Sequence, residues 1–214
     1  MTLKLFWCIS ALYLALSYIL WIIYFVWVLK YQEVDNVEQK LEIILNNSFS
    51  FYWIIFFIYV IFWFILIYLV SYLNSLINKD ILINKIISIF WYIWATWLIF
   101  SWLILTFWIE YISTIYSWDL NLSLNIYSSI NVVFQALWWW SEILGWLWIL
   151  FISILLLKNN TFSKWLNYLW IIIWLSWVLS IIPNLWFLTM IFWLLQIIWF
   201  IELARQIIKK TNNK

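Results

Sequence analysis

WWWSEILGWLWILFISILLLKNNTFSKWLNYLWIIIWLSWVLSIIPNLWFLTMIFWLLQIIWFIELAR, residues 138–205, holds three helix-length apolar runs separated by KNNTFSK (158–164) and IIPNLW (181–186). It also contains the only glycine and the only proline of the chain, Gly145 and Pro183. Each run approaches the roughly 20 residues that carry an α-helix across a hydrocarbon core. The same pattern continues toward the N-terminus, where Leu5–Leu29, Phe51–Ile77 and Ile86–Ile109 precede spans at about 132–157, 165–182 and 185–203. The fold class this predicts is all-α, a polytopic membrane protein with a six-transmembrane-helix bundle. Residues 1–214 then form one integral membrane domain.

Composition narrows the function classes. With 69% hydrophobic and 9% charged residues the chain lies outside the soluble globular range. A net charge of +2 without a Lys/Arg cluster argues against a nucleic-acid partner. Cys8 is the only cysteine and there is no histidine, so neither an internal disulfide nor a common transition-metal site is expected, and no cofactor. The expected partners are the lipid bilayer and a small-molecule or lipid ligand. The sequence sets no oligomeric state.

Basic residues then fix a sidedness. With six spans, Lys4, Lys79, Lys85, Lys158, Lys164, Arg205, Lys209, Lys210 and Lys214 share one side, and only Lys30 and Lys40 reach the other. That asymmetry predicts a cell-membrane protein with both termini cytoplasmic. Met-Thr-Leu-Lys precedes the first run without a small-residue cleavage site, so a retained helix is expected. In the polar segment Tyr31–Asn47, Val34, Val37, Leu41 and Ile44 recur at three and four residues. A surface helix and a solvated loop are both compatible with this. Between Glu110 and Ile130 apolar and polar residues alternate over Leu120–Ile126, and an irregular or interfacial connector is expected there.

An ionisable residue inside a span is a candidate functional group. Glu142 lies 16 residues before Lys158, roughly 24 Å along a helix, which places it in the outer third. Ser101 and Ser180 fall sixteen residues after Lys85 and Lys164, at the same level, so Glu142, Ser101 and Ser180 are expected to share a polar layer around an outward-open cavity. Gln196, nine residues before Arg205, sits about 10 Å deeper. These four are the candidate ligand-binding residues. Two readings of Glu142 stand: a ligand or proton site, or an acid that reaches the outer headgroups or caps a helix. Glu202 and Arg205 are expected to form a structural ion pair. No catalytic residue is expected, since no His-based dyad, zinc helix, paired intramembrane acids or phosphate loop is present.

One count is anomalous. Glycine ordinarily supplies about 7% of residues, and more in membrane helices, yet the chain has 1 Gly and 23 Trp. Trp91, Trp94 and Trp97, and Trp170, Trp174 and Trp177, repeat at the spacing of small-residue packing faces. Trp21, Trp63, Trp97, Trp174 and Trp193 lie deep within apolar runs, where glycine belongs and an indole N–H finds no water. The expectation is that many tryptophans stand for glycines encoded by UGA in an organism that reads that codon as Gly.

With most Trp read as Gly, the opening stretch resembles the C-terminal half of the uncharacterised bacterial membrane proteins grouped as domain of unknown function 4386. Glu142, Pro183 and Gln196 fall on matching positions, and Ser141 stands where Asn is usual. The resemblance covers about a third of the chain, and implies fold and membrane location but no activity. Two function classes follow. One is a protein that binds or transports a small molecule or lipid through an outer-leaflet cavity near Glu142. The other is a structural or accessory membrane subunit without its own ligand.

Overall fold

The structure, a computed structural model, describes the backbone of residues 3–77, 82–180, 182, 184–185 and 187–212. It is all-helical among these residues. Helix α1 (Leu3–Ile22) runs on through a π-helical turn, Ile23–Val28, and a short 3-10 turn, Tyr31–Glu33, leads to α2 (Val37–Asn46). Helices α3 (Ser48–Ile55) and α4 (Phe62–Ser75) are joined by a second π segment, Phe56–Ile61, into one rod. Then come α5 (Leu82–Ile115), α6 (Leu120–Lys158), α7 (Lys164–Leu179) and α8 (Leu188–Asn212). Among the described residues four stretches are long and apolar enough to cross a membrane: Leu5–Val28, Ser48–Ser75, Lys85–Ile115 and Leu188–Lys209. Helix α7 and the apolar part of α6, Ile143–Lys158, are shorter.

Six rods close into a ring, in the order α1, α3–α4, α5, α6, α7, α8 and back to α1. The closing pair, α1 with α8, is in extensive contact, and the buried residues of these two helices include small ones, Ser10, Ala11 and Ala15 on α1 and Ala204 on α8. Small residues let two backbones approach, which is how apolar helices associate when the surroundings are as apolar as the interface. Large apolar residues such as Leu12, Leu16, Phe64, Leu194 and Ile198 point outward, the distribution a lipid-facing surface requires.

The connector expected to be irregular is helical instead. Helix α5 continues to Ile115 and α6 begins at Leu120, so only Tyr116–Asp119 turns the chain, and Asp119 caps α6 by accepting from the Leu122 N–H at 2.9 Å. At 34 and 39 residues, α5 and α6 measure about 51 and 58 Å and project past their neighbours. Their facing positions recur at three and four residues: Leu105, Ile109, Ile112 and Ile115 on α5, and Ser123, Tyr127, Ile130 and Phe134 on α6. The alternation over Leu120–Ile126 misled because Ser123, a polar residue, is the one that faces inward.

Of the two readings of Tyr31–Asn47, the helix is found. Asn36 caps α2 by accepting from Glu38 N–H, and Leu41 and Ile44 bury against the projecting α5–α6 hairpin. The Tyr116 hydroxyl also donates to Glu42 at 3.1 Å.

At the opposite end of the bundle, Asn160 takes the left-handed conformation (φ 47°) that usually requires Gly. Asn160 N–H and Thr161 N–H return to the carbonyls of Leu157 and Leu156, closing α6 in a Schellman motif. The turn before α8 uses Asn184 at φ 73°, and Pro183 lies outside the described residues. The expected Glu202–Arg205 pair forms with two 2.6 Å bonds. Gln206 ties it to α7, donating to Glu202 and to Ser163 Oγ and accepting from Ser163 N–H at 2.9 Å.

Candidate ligand cavity within the helix ring

Two cavities lie on the axis of the ring. The larger, about 390 Å³, sits at the α2 end, among α1, α2, α5, α6 and the start of α8. Its polar groups are the phenols of Tyr31 and Tyr127, paired at 2.8 Å, with Asn131, Gln135 and Thr189. Tyr127 is buried, and its phenol is held above the ordinary tyrosine range, first by burial and then by the neighbouring Tyr31 phenol. Burial raises Tyr31 too, with its bond to Tyr127 acting in the opposite sense. The pair is therefore neutral at ordinary pH, able to donate one hydroxyl and accept on both oxygens.

The smaller cavity, about 110 Å³, lies at mid-bundle and touches all six rods. Ser17, Tyr18, Tyr59 and Gln196 bring polar groups to its wall. Ser17 already donates to the Tyr13 carbonyl at 2.9 Å. Gln196 is different: it is 6% exposed, and no hydrogen-bond partner is found for it among the described residues. A buried amide has two donor hydrogens and a carbonyl to satisfy, so a group entering this cavity would be bound by them.

Trp21, Trp177 and Trp193 line both cavities and divide them. The Trp21 and Trp193 rings are 4.2 Å apart, and Trp21 Nε1 donates to the Tyr59 hydroxyl at 2.8 Å. Both π segments adjoin this partition. The looser turn leaves the Phe57 carbonyl able to accept from Tyr13 at 2.6 Å.

Indoles fill the rest of the centre. Trp63 on α4 contacts Trp91 and Trp94 on α5. Trp91 meets Trp148 on α6, Trp148 meets Trp170 on α7, and Trp170 meets Trp199 on α8. The indole N–H of each of these six is buried without a hydrogen bond.

The expected residues are distributed otherwise than anticipated. Gln196 reaches the axis. Ser101 is fully buried on α5, and Ser180 donates to the Trp177 carbonyl at 2.6 Å at the end of α7. Neither is among the wall residues of the two cavities. Glu142 lies on α6, and its side chain falls outside the described residues.

Tyr31, Tyr127, Asn131 and Thr189 were not anticipated from the sequence. A signal for part of the set exists: Ser123, Tyr127, Asn131 and Gln135 recur every fourth residue, a polar stripe along one face of α6. No group of His, Cys, Asp and Glu among the described residues could hold a metal ion. No protein family, curated protein or solved structure matches the chain.

Proposed function

We propose that the chain is a six-span membrane protein with both termini cytoplasmic, and that it binds an amphiphilic small molecule or lipid in the cavity at the α2 end, which opens to the outer side. The single supporting observation is the composition of that cavity: about 390 Å³, within the range of small-molecule sites, apolar over most of its wall, with neutral hydrogen-bonding groups from three segments converging on it. Neutral phenols and amides select an uncharged or zwitterionic headgroup over an anion, which would call for Arg or Lys. The acids Glu33, Asp35, Glu38, Glu42 and Glu110 gather at the same end, and the basic residues favour the other, in keeping with the positive-inside rule. The C-terminal resemblance agrees in fold and location and adds no activity.

Lipid analysis of the protein purified in nanodiscs tests this. The expected result is a retained amphiphile that falls about tenfold in Asn131→Leu and in Thr189→Phe, which remove a hydrogen bond and fill the cavity respectively. Equal retention in both variants would refute the binding reading and favour the accessory-subunit class.

A further inference from the structure

We infer that positions 21, 63, 91, 94, 148, 170, 193 and 199 carry glycine in the protein as its own cell makes it, so that the two axial cavities form one chamber. Packing along the axis carries positions 63, 91, 94, 148, 170 and 199, and the 4.2 Å between the ring centroids of Trp21 and Trp193, closer than aromatic pairs ordinarily approach, carries the other two. The ring centroids of Trp170 and Trp199 are 3.3 Å apart at an interplanar angle of 77°. An edge-to-face aromatic pair needs about 4.5–7 Å, so two indoles cannot share that space, whereas two glycines can. A Cβ placed on Gly145 would come within 2.5 Å of Trp94 Cε2, so the Trp94 indole is pressed onto the α6 backbone and takes up the space that any side chain at 145 would need. Six neighbouring indole N–H groups are buried without a protein acceptor, whereas buried Trp N–H groups ordinarily find a partner.

The second half concerns the ligand, and rests on the binding reading above. Removing the indoles at 21 and 193 takes away two of the three that divide the cavities of about 390 and 110 Å³, and opens a passage beside Trp177. Removing those at 63, 91, 94 and 148 enlarges the inner one, whose wall they form. The chamber then presents neutral hydrogen-bonding groups at the α2 end, an apolar shaft, and the amide of Gln196 at depth. Thr189 and Gln196 are seven residues apart on α8, roughly 10 Å. The chemistry that fits is a single-chain amphiphile with an uncharged or zwitterionic headgroup and a second hydrogen-bonding group about that far along its chain.

Two measurements test the halves separately. The intact mass of the protein from its native membranes should fall below the 26.6 kDa of the printed chain by roughly 130 Da per position, about 3 kDa if all 23 tryptophans are glycine. A native mass equal to the printed chain overturns the inference, whatever the α2-end variants retain. The native protein in nanodiscs is then offered a zwitterionic lysophospholipid with a mid-chain hydroxyl, and its unhydroxylated twin. The expected preference for the hydroxylated probe is about tenfold, the worth of one buried hydrogen bond, and it should vanish in Gln196→Leu made in the glycine-encoding gene. A lowered mass with equal binding of the two probes overturns the chamber while leaving the glycines. If Asn131→Leu and Thr189→Phe also leave retention unchanged, the binding reading itself has failed.

Discussion

Replacing Trp170 and Trp199 together with glycine in the printed chain should not have the usual effect of emptying a core. Truncation of a buried Trp ordinarily costs about 3–5 kcal/mol, and glycine inside a helix about 1 kcal/mol more. Two independent sites would therefore lose roughly 8–12 kcal/mol, enough to unfold most domains. Here both indole N–H groups are buried without acceptors, each a cost of about 1–3 kcal/mol, and the ring centroids lie only 3.3 Å apart, so the overlap is relieved as well. The double variant is expected within about 2 kcal/mol of the parent, or above it. Ile152→Ala, on α6 and fully buried, provides the ordinary scale and should lose about 2–5 kcal/mol. The assay is reversible unfolding in mixed micelles of increasing SDS fraction, followed by circular dichroism, with gel filtration confirming a monodisperse starting state. A loss of 8 kcal/mol or more, on the order of two independent core truncations, would refute the reasoning.

Three further outcomes are expected. Gly145→Ala, normally mildly stabilising in a helix, should cost about 1–3 kcal/mol because its Cβ meets Trp94, and the penalty should disappear in a Trp94→Gly background, measured as a double-mutant cycle. Gln206→Leu removes the two bonds to Ser163 that join α7 to α8, together with its bond to Glu202 within α8, and should cost about 1–3 kcal/mol, with hydrogen exchange speeding up first at the start of α7. Tyr127 keeps its proton in the folded state above the ordinary tyrosine value of 10.0, so the unfolded chain releases it first. Stability should be level below that pH and fall above it by up to about 1.4 kcal/mol per pH unit. A shallower slope in Tyr127→Phe is the check, read from melting temperature across the alkaline range.

Helix identity and approximate extent were legible because they follow from local rules. Leu5–Leu29 against Leu3–Val28, and 165–182 against Lys164–Leu179, differ only at the ends. The α2 helix could be located from its 3–4 spacing, although a loop remained equally compatible until Leu41 and Ile44 were seen to bury. The α5–α6 extension was missed because its inward face includes Ser123 and Tyr127, and a polar residue on a buried face defeats a hydropathy pattern. Among the expected residues Gln196 lies on the wall of the smaller cavity, a placement that depends on helix rotation and not on depth. The expectation for Ser101 and Ser180 rested on level along the helix without regard to rotation, and rotation decides whether a hydroxyl faces the axis or returns to its own helix, as Ser180 does.

What the sequence by itself determined is that the chain forms apolar helical rods, since a backbone without water must satisfy its hydrogen bonds within the segment, and runs of about 20 apolar residues do so locally. It also displayed the imbalance between glycine and tryptophan. Only the tertiary structure decided which faces meet: that α1 closes the ring on α8, that Tyr31 finds Tyr127 across 96 residues, and that six indoles converge on one axis. The physical reason is that a helix apolar all round carries no stripe to mark its inner face, so its rotation is set by the shape of its neighbours.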